Sequence, residues 1–89
     1  MRRVVVRVTG RVQGVFYRAT CARLASDLGV AGWIRNAADG SVEAAFEGED
    51  EAIERILAWC REGTSGARVD GVEIEDEAVV GEPGFRVVR

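Results

Sequence analysis

Residues 8–20 read VTGRVQGVFYRAT, and the hydrophobic period changes inside this stretch. Before it, RVVVRVT at 3–9 is short, β-branched and bounded by glycine, the composition of a strand. After it, Cys21, Leu24, Ala25 and Leu28 recur on one face of a helix. The spacing predicts a helix from about Tyr17 to Leu28, with Gly29 as its C-terminal stop. Gly10 and Gly14 therefore lie in a strand-to-helix connection, and Arg18 stands in the first helical turn.

Working outward, VAGWIR at 30–35 reads as a second strand. Asp39-Gly40 is a hairpin signal, and SVEAAFE at 41–47 alternates with Val42, Ala44 and Phe46 on one face. Gly48 ends that strand, and Glu49, Asp50 and Glu51 open a second helix where acids suit the helix dipole. Its apolar face is Ile53, Ile56, Leu57 and Cys60, and Gly63 to Gly66 break it. ARVDGVEIE at 67–75 reads as a fourth strand, and FRVVR after Pro83 as a short fifth. No linker or low-complexity segment interrupts the chain, so residues 1–89 are expected to form one domain.

The order β-α-β-β-α-β is the split βαβ, ferredoxin-like arrangement of the α+β class. It predicts an antiparallel sheet with both helices on one face and a short C-terminal fifth strand. The first two strands run parallel, joined by a right-handed helical crossover. That topology brings the 10–18 loop, Arg18 and the segment around Arg35 and Asn36 to one edge of the sheet.

Composition narrows the chemistry. There is no histidine and no lysine, and all 12 basic residues are arginine. Imidazole bases, histidine-ligated metals, Schiff bases and a Walker-type lysine are excluded. The net charge of −3 is uneven: residues 1–38 carry seven arginines against Asp27 alone, and 39–89 carry five against fourteen acids. The first half thus has the charge to hold an anion. No apolar run approaches a membrane span, and Arg7 breaks the N-terminal valines, so the start is read as a strand rather than a signal peptide. A cytoplasmic location is expected. Cys21 and Cys60 both fall on apolar helix faces, at the same edge of the sheet, with reduced buried thiols the expectation. Trp33 and Trp59 are expected in or beside the core.

A helix N-terminus offers unpaired N–H groups and partial positive charge. Gly14 can adopt the positive φ that turns successive N–H groups inward, and Arg18 can add a bidentate contact to two phosphoryl oxygens. The same residues also suit a plain glycine turn followed by a surface arginine, and spacing alone does not separate these readings. A cysteine phosphatase would need C-x5-R in the loop, but Cys21 lies within the helix and Asp27 follows it six residues later. No paired-aspartate nucleophile motif or carboxylate cluster for two metals is present. Water is the remaining nucleophile. Asn36 could orient it, since its amide both donates and accepts, but asparagine is equally at home in a β-turn.

GRVQGVFYR at 10–18, GWIRN at 32–36 and DGSVE at 39–43 together resemble the acylphosphatase family. The resemblance continues through GVAGW, the Trp59 region, ARV at 67–69 and the terminal FRVV. It implies a ferredoxin-like hydrolase of acyl phosphates that uses no metal or other cofactor. It also implies that Arg18 binds the phosphate, that Asn36 orients the attacking water, and that amides of Gln13, Gly14, Val15, Phe16 and Tyr17 share the phosphate. The expected partner is a small acyl phosphate, with no nucleic acid or membrane, and the expected state is a monomer. Ala37 stands where many relatives have a hydroxyl residue. GTSG at 63–66 replaces a frequent Gly-Pro, and a histidine often found soon after the phosphate-binding arginine is missing. The competing reading is a non-enzymatic anion- or RNA-binding module. The pI near 4.9 and the lack of an exposed aromatic pair on the sheet weigh against it.

Overall fold

The computed structural model describes residues 1–88. Its elements in chain order are β1 (Arg2–Arg11), α1 (Tyr17–Leu28), β2 (Ala31–Asn36), β3 (Val42–Gly48), α2 (Asp50–Glu62), β4 (Arg68–Glu77) and β5 (Phe85–Val88). The sheet order is β4-β1-β3-β2-β5. The first helix has the bounds its periodicity predicts. β1 runs past Thr9 through Gly10 and Arg11, because β4 keeps pairing with it across a register shift at Thr9/Gly10. Arg89, expected in the last strand, lies outside the described residues.

The first four strands pair antiparallel, but β5 joins β2 in parallel. The sheet is therefore mixed rather than purely antiparallel. The chain must leave β4 at one edge and reach β5 at the other, and that crossing sets the direction of β5.

Alternation along the strands builds the core. Val4, Val6 and Val8 of β1 stand opposite Phe46, Ala44 and Val42 of β3, and all six are buried. Tyr17, Cys21 and Ala25 of α1 and Ile53, Ile56, Leu57 and Cys60 of α2 close over that face. Burying one such large apolar side chain contributes about 1.5–3 kcal/mol. Phe85 stacks on Phe46 at 5.8 Å and ties β5 into the same core.

The opposite face departs from simple alternation. Glu47, on the face the pattern assigns to solvent, is only 1% exposed. Its carboxylate accepts N–H bonds from Val80, Gly81 and Glu82 at 2.8–3.1 Å and pairs with Arg3 at 2.8 Å. Arg3 also reaches Glu77 and Glu82. The strap from β4 to β5 thus folds over this face and is anchored by one buried carboxylate whose acceptor sites are filled. Trp33, expected beside the core, lies on this face half-buried, with the Arg35 guanidinium 5.2 Å from its ring centre.

Candidate active site

The 12–16 segment leaves the end of β1 and turns into α1. Gly14 has φ 72° and Phe16 has φ 62°, both left-handed, and Phe16 is the N-cap of α1. Left-handed residues interspersed in a turn aim successive N–H groups toward one concavity. Phe16 offers no side-chain cap, and the first turn of α1 holds no acid, whereas α2 opens with Asp50 and Glu51. The first N–H groups of α1 are thus left to whatever anion approaches them.

Gln13 joins the loop to the end of β2. Its side-chain amide donates to the carbonyls of Ala37 and Ser41 at 2.8 and 2.9 Å. This strut places the start of α1 beside the β2–β3 hairpin, as the crossover topology predicts. Gln13 therefore uses its side chain structurally. The hairpin is itself held by Asp39, whose carboxylate accepts both the N–H and the hydroxyl of Ser41 and pairs with Arg7.

Arg18 is half-buried and makes no ion pair or side-chain hydrogen bond among the described residues. Its guanidinium is an uncompensated cation at an uncapped helix start. Tyr17 points the other way. It is 1% exposed, its hydroxyl donates to the Cys60 carbonyl at 2.7 Å, and its ring lies 4.8 Å from Trp59. Burial raises its phenol pKa far above the ordinary value, so the ring is a neutral anchor and only its backbone faces the loop. Phe16 is 82% exposed.

Asn36 ends β2. Its Oδ1 is buried and accepts no hydrogen bond from any described group, alone among the buried side-chain nitrogens and oxygens described. Native folds rarely leave such an acceptor unused.

Two contributors escaped the sequence reading. Gln13 counted there only as a loop amide, and nothing in its spacing reveals the two carbonyls it bridges. Thr64 was noted only as part of GTSG, yet its hydroxyl donates to the Val15 carbonyl at 2.7 Å. The replacement of the frequent Gly-Pro was the signal that this turn is particular to the chain.

The frame is a ferredoxin-like α+β sandwich with an anion-receptive loop and an unused buried acceptor at one sheet edge. The Acylphosphatase family model matches residues 4–87. A Methylococcus capsulatus acylphosphatase is 55% identical over all of this chain and 98% of its own. The crystal structure of acylphosphatase from Bacillus subtilis superposes with TM-score 0.96 at 29% identity, covering both chains fully. The structure of an acylphosphatase from Coxiella burnetii gives TM-score 0.94 at 36% identity over 98% of this chain and 92% of that one. The chain belongs to the acylphosphatase family. It is an enzyme of acyl-phosphate hydrolysis, and the competing binding-module reading is not favoured.

Proposed function

We propose that this chain hydrolyses acyl phosphates without a metal ion, holding the phosphoryl group in the 13–18 loop and aligning water with Asn36. Backbone N–H groups from Gln13 to Tyr17 and the free guanidinium of Arg18 take the phosphoryl oxygens. The observation that carries the reading is the orphaned Asn36 Oδ1, on the residue next to Ala37, whose carbonyl accepts a hydrogen bond from Gln13 of that loop. An acceptor there receives a proton donor, and a water that donates to it presents its lone pair for attack.

The substrate is a mixed anhydride whose leaving group is a carboxylate. Water attacks phosphorus, the bond from phosphorus to the acyl oxygen breaks, and the carboxylate departs as its own stable anion. The products are the carboxylate and inorganic phosphate. Loose phosphoryl transfer asks mainly for positioning and for charge held on the equatorial oxygens, which the loop amides and Arg18 supply. Neither the 13–18 loop nor Asn36 supplies a carboxylate or imidazole base, so the water's proton passes to the substrate's own phosphoryl oxygens. A linear free-energy series or solvent isotope effect incompatible with that transfer would exclude it.

The same reading makes the working unit a monomer, since one chain supplies every element of the loop and its supports. Size-exclusion chromatography of the active fraction tests this. Free, buried Cys21 and Cys60 support a reducing, cytoplasmic setting, which cell fractionation tests. The acids Glu43, Glu73 and Glu75 around Arg7, on the part of the sheet face opposite the helices that lies away from the Glu47 anchor, argue against nucleic acid as a partner. A filter-binding assay checks it.

The decisive experiment compares benzoyl phosphate hydrolysis by wild type and Arg18→Ala, with EDTA present. Wild-type turnover should survive the chelator, and the variant should lose about 10³-fold or more in kcat while staying folded. A folded variant within about tenfold of wild type would overturn the role of Arg18. Loss of wild-type turnover in EDTA would overturn the metal-free mechanism.

A further inference from the structure

We propose that Thr64 is a positioning residue for the phosphate cradle, holding the Val15–Phe16 peptide so that the Phe16 N–H faces the phosphate. This rests on reading the 13–18 loop as that cradle. Thr64 Oγ1 donates to the Val15 carbonyl at 2.7 Å. In a trans peptide the carbonyl and the following N–H point in opposite directions. Fixing the Val15 carbonyl toward Thr64 therefore aims the Phe16 N–H the other way.

That orientation is not the one Phe16 prefers. Among the described residues it is the only non-glycine with positive φ, at 62°. Left-handed backbone is strained for an aromatic residue with a Cβ. A half-turn of the 15–16 peptide would carry Phe16 to an ordinary negative φ and relieve the strain. It would also turn the Phe16 N–H out of the cradle and bring the Val15 carbonyl in, replacing a donor to the anion with a repulsive oxygen. Side-chain packing does not oppose the flip, because Phe16 is 82% exposed. The next peptide is already secured, since the Phe16 carbonyl accepts the Thr20 N–H at 3.1 Å as the first bond of α1. Among the described residues, the Thr64 hydroxyl is the contact left to hold the strained peptide.

Thr64 is built to be a fixed point. Gly63 N–H donates to the Trp59 carbonyl at 2.7 Å and closes α2, and Ala67 N–H donates to the Thr64 carbonyl at 3.0 Å. The turn rests on both neighbours of Phe16. A Cβ at Gly63 would come within 3.1 Å of the Tyr17 ring, and one at Gly66 within 3.6 Å of Val15. Tyr17 is tied to the same helix end through Cys60.

The test titrates inorganic phosphate into ¹⁵N-labelled wild type, Thr64→Val, Thr64→Ser, Phe16→Gly and the Phe16→Gly/Thr64→Val double variant. In wild type the Phe16 amide resonance should shift downfield on binding. Thr64→Val should weaken phosphate binding and lower kcat/KM by about 5- to 10-fold, the scale of one hydrogen bond, with the phosphate-induced shift at Phe16 reduced. Thr64→Ser should restore both. The Thr64→Val penalty should shrink in the Phe16→Gly background, because glycine bears no strain at that φ. The spectra report folding of every variant. A folded Thr64→Val that binds and turns over like wild type overturns the brace alone, as does an equal penalty in the Phe16→Gly background. Wild type whose loop amides ignore phosphate overturns the cradle itself.

Discussion

Asn36→Ala separates catalysis from folding more sharply than any other change at the site. Asn36 Oδ1 is buried without a described partner, so its removal breaks no protein–protein hydrogen bond made by that atom. An unsatisfied buried acceptor costs about 1–3 kcal/mol, and deleting it returns some of that, offset by the small volume lost on truncation. The expected stability change therefore runs from neutral to a gain of about 1 kcal/mol, or about 4–8 °C in Tm for a domain of this size. Catalysis moves the opposite way. Losing one preorganised polar contact to a reacting group lowers kcat by about 10²- to 10³-fold. Phosphate binding should hold, because the loop amides and Arg18 are untouched. Three measurements on one preparation suffice: Tm, kcat for benzoyl phosphate, and the inhibition constant of inorganic phosphate. If kcat is unchanged, Asn36 does not orient the water. If Tm and kcat fall together, the residue is structural and the orphaned acceptor has been misread.

The strap anchor predicts a pH dependence. Backbone N–H from Val80 leads the groups that lower the Glu47 pKa from 4.5 to about 2, with Glu82 N–H, Arg3 and Gly81 N–H adding to it against the cost of burial. A depressed carboxylate stabilises the fold fully above its unfolded pKa, and that contribution is lost as pH falls through the folded value. Tm of wild type should fall between pH 4.5 and about 2, and Glu47→Gln should be less stable at neutral pH with a shallower slope across that window. Identical slopes in the two proteins would show that another group carries the acid response. At Gly10, φ is 122° and a Cβ would lie 2.1 Å from the Arg68 carbonyl oxygen. Gly10→Ala should cost about 1–3 kcal/mol in strain, read by urea denaturation, and an unchanged midpoint would mean the bulge relaxes freely. Contact with Cys60 and burial raise the Cys21 thiol pKa, whereas contact with Cys21 lowers that of Cys60; because both thiols are buried, neither should react with a thiol reagent until the protein unfolds. Fast labelling of the native protein would contradict that burial.

Much of the site was legible because it follows from local pattern and chirality. The change of period around Tyr17 places Arg18 in the first turn of α1. The right-handed crossover brings the end of β2, with Asn36, to the same edge, where Gln13 bonds to Ala37 and Ser41. What stayed hidden is contact between segments far apart in the chain. Thr64 and Val15 lie 49 residues apart, and no periodicity in either segment announces their hydrogen bond. Phe16 gives no sequence sign of positive φ, since aromatic residues rarely adopt it. Its conformation is imposed by what flanks it.

Glu47 marks the boundary most clearly. Alternation assigns Phe46 to the core and Glu47 to solvent, and the first assignment holds because the helices cover that face. The second fails because β3 is the middle strand and the β4-to-β5 strap must cross the sheet, covering its other side. Periodicity records which residues share a face; it does not record what is laid over that face. The same limit governs β5, whose residues read as a strand but whose parallel pairing with β2 depends on where the strap delivers it. Local propensity, helix ends and crossover hand acted within short stretches of chain and were set by the sequence alone. Strand order, the burial of Glu47 and the Thr64–Val15 contact needed the whole chain to close, because each joins groups whose proximity exists only after packing.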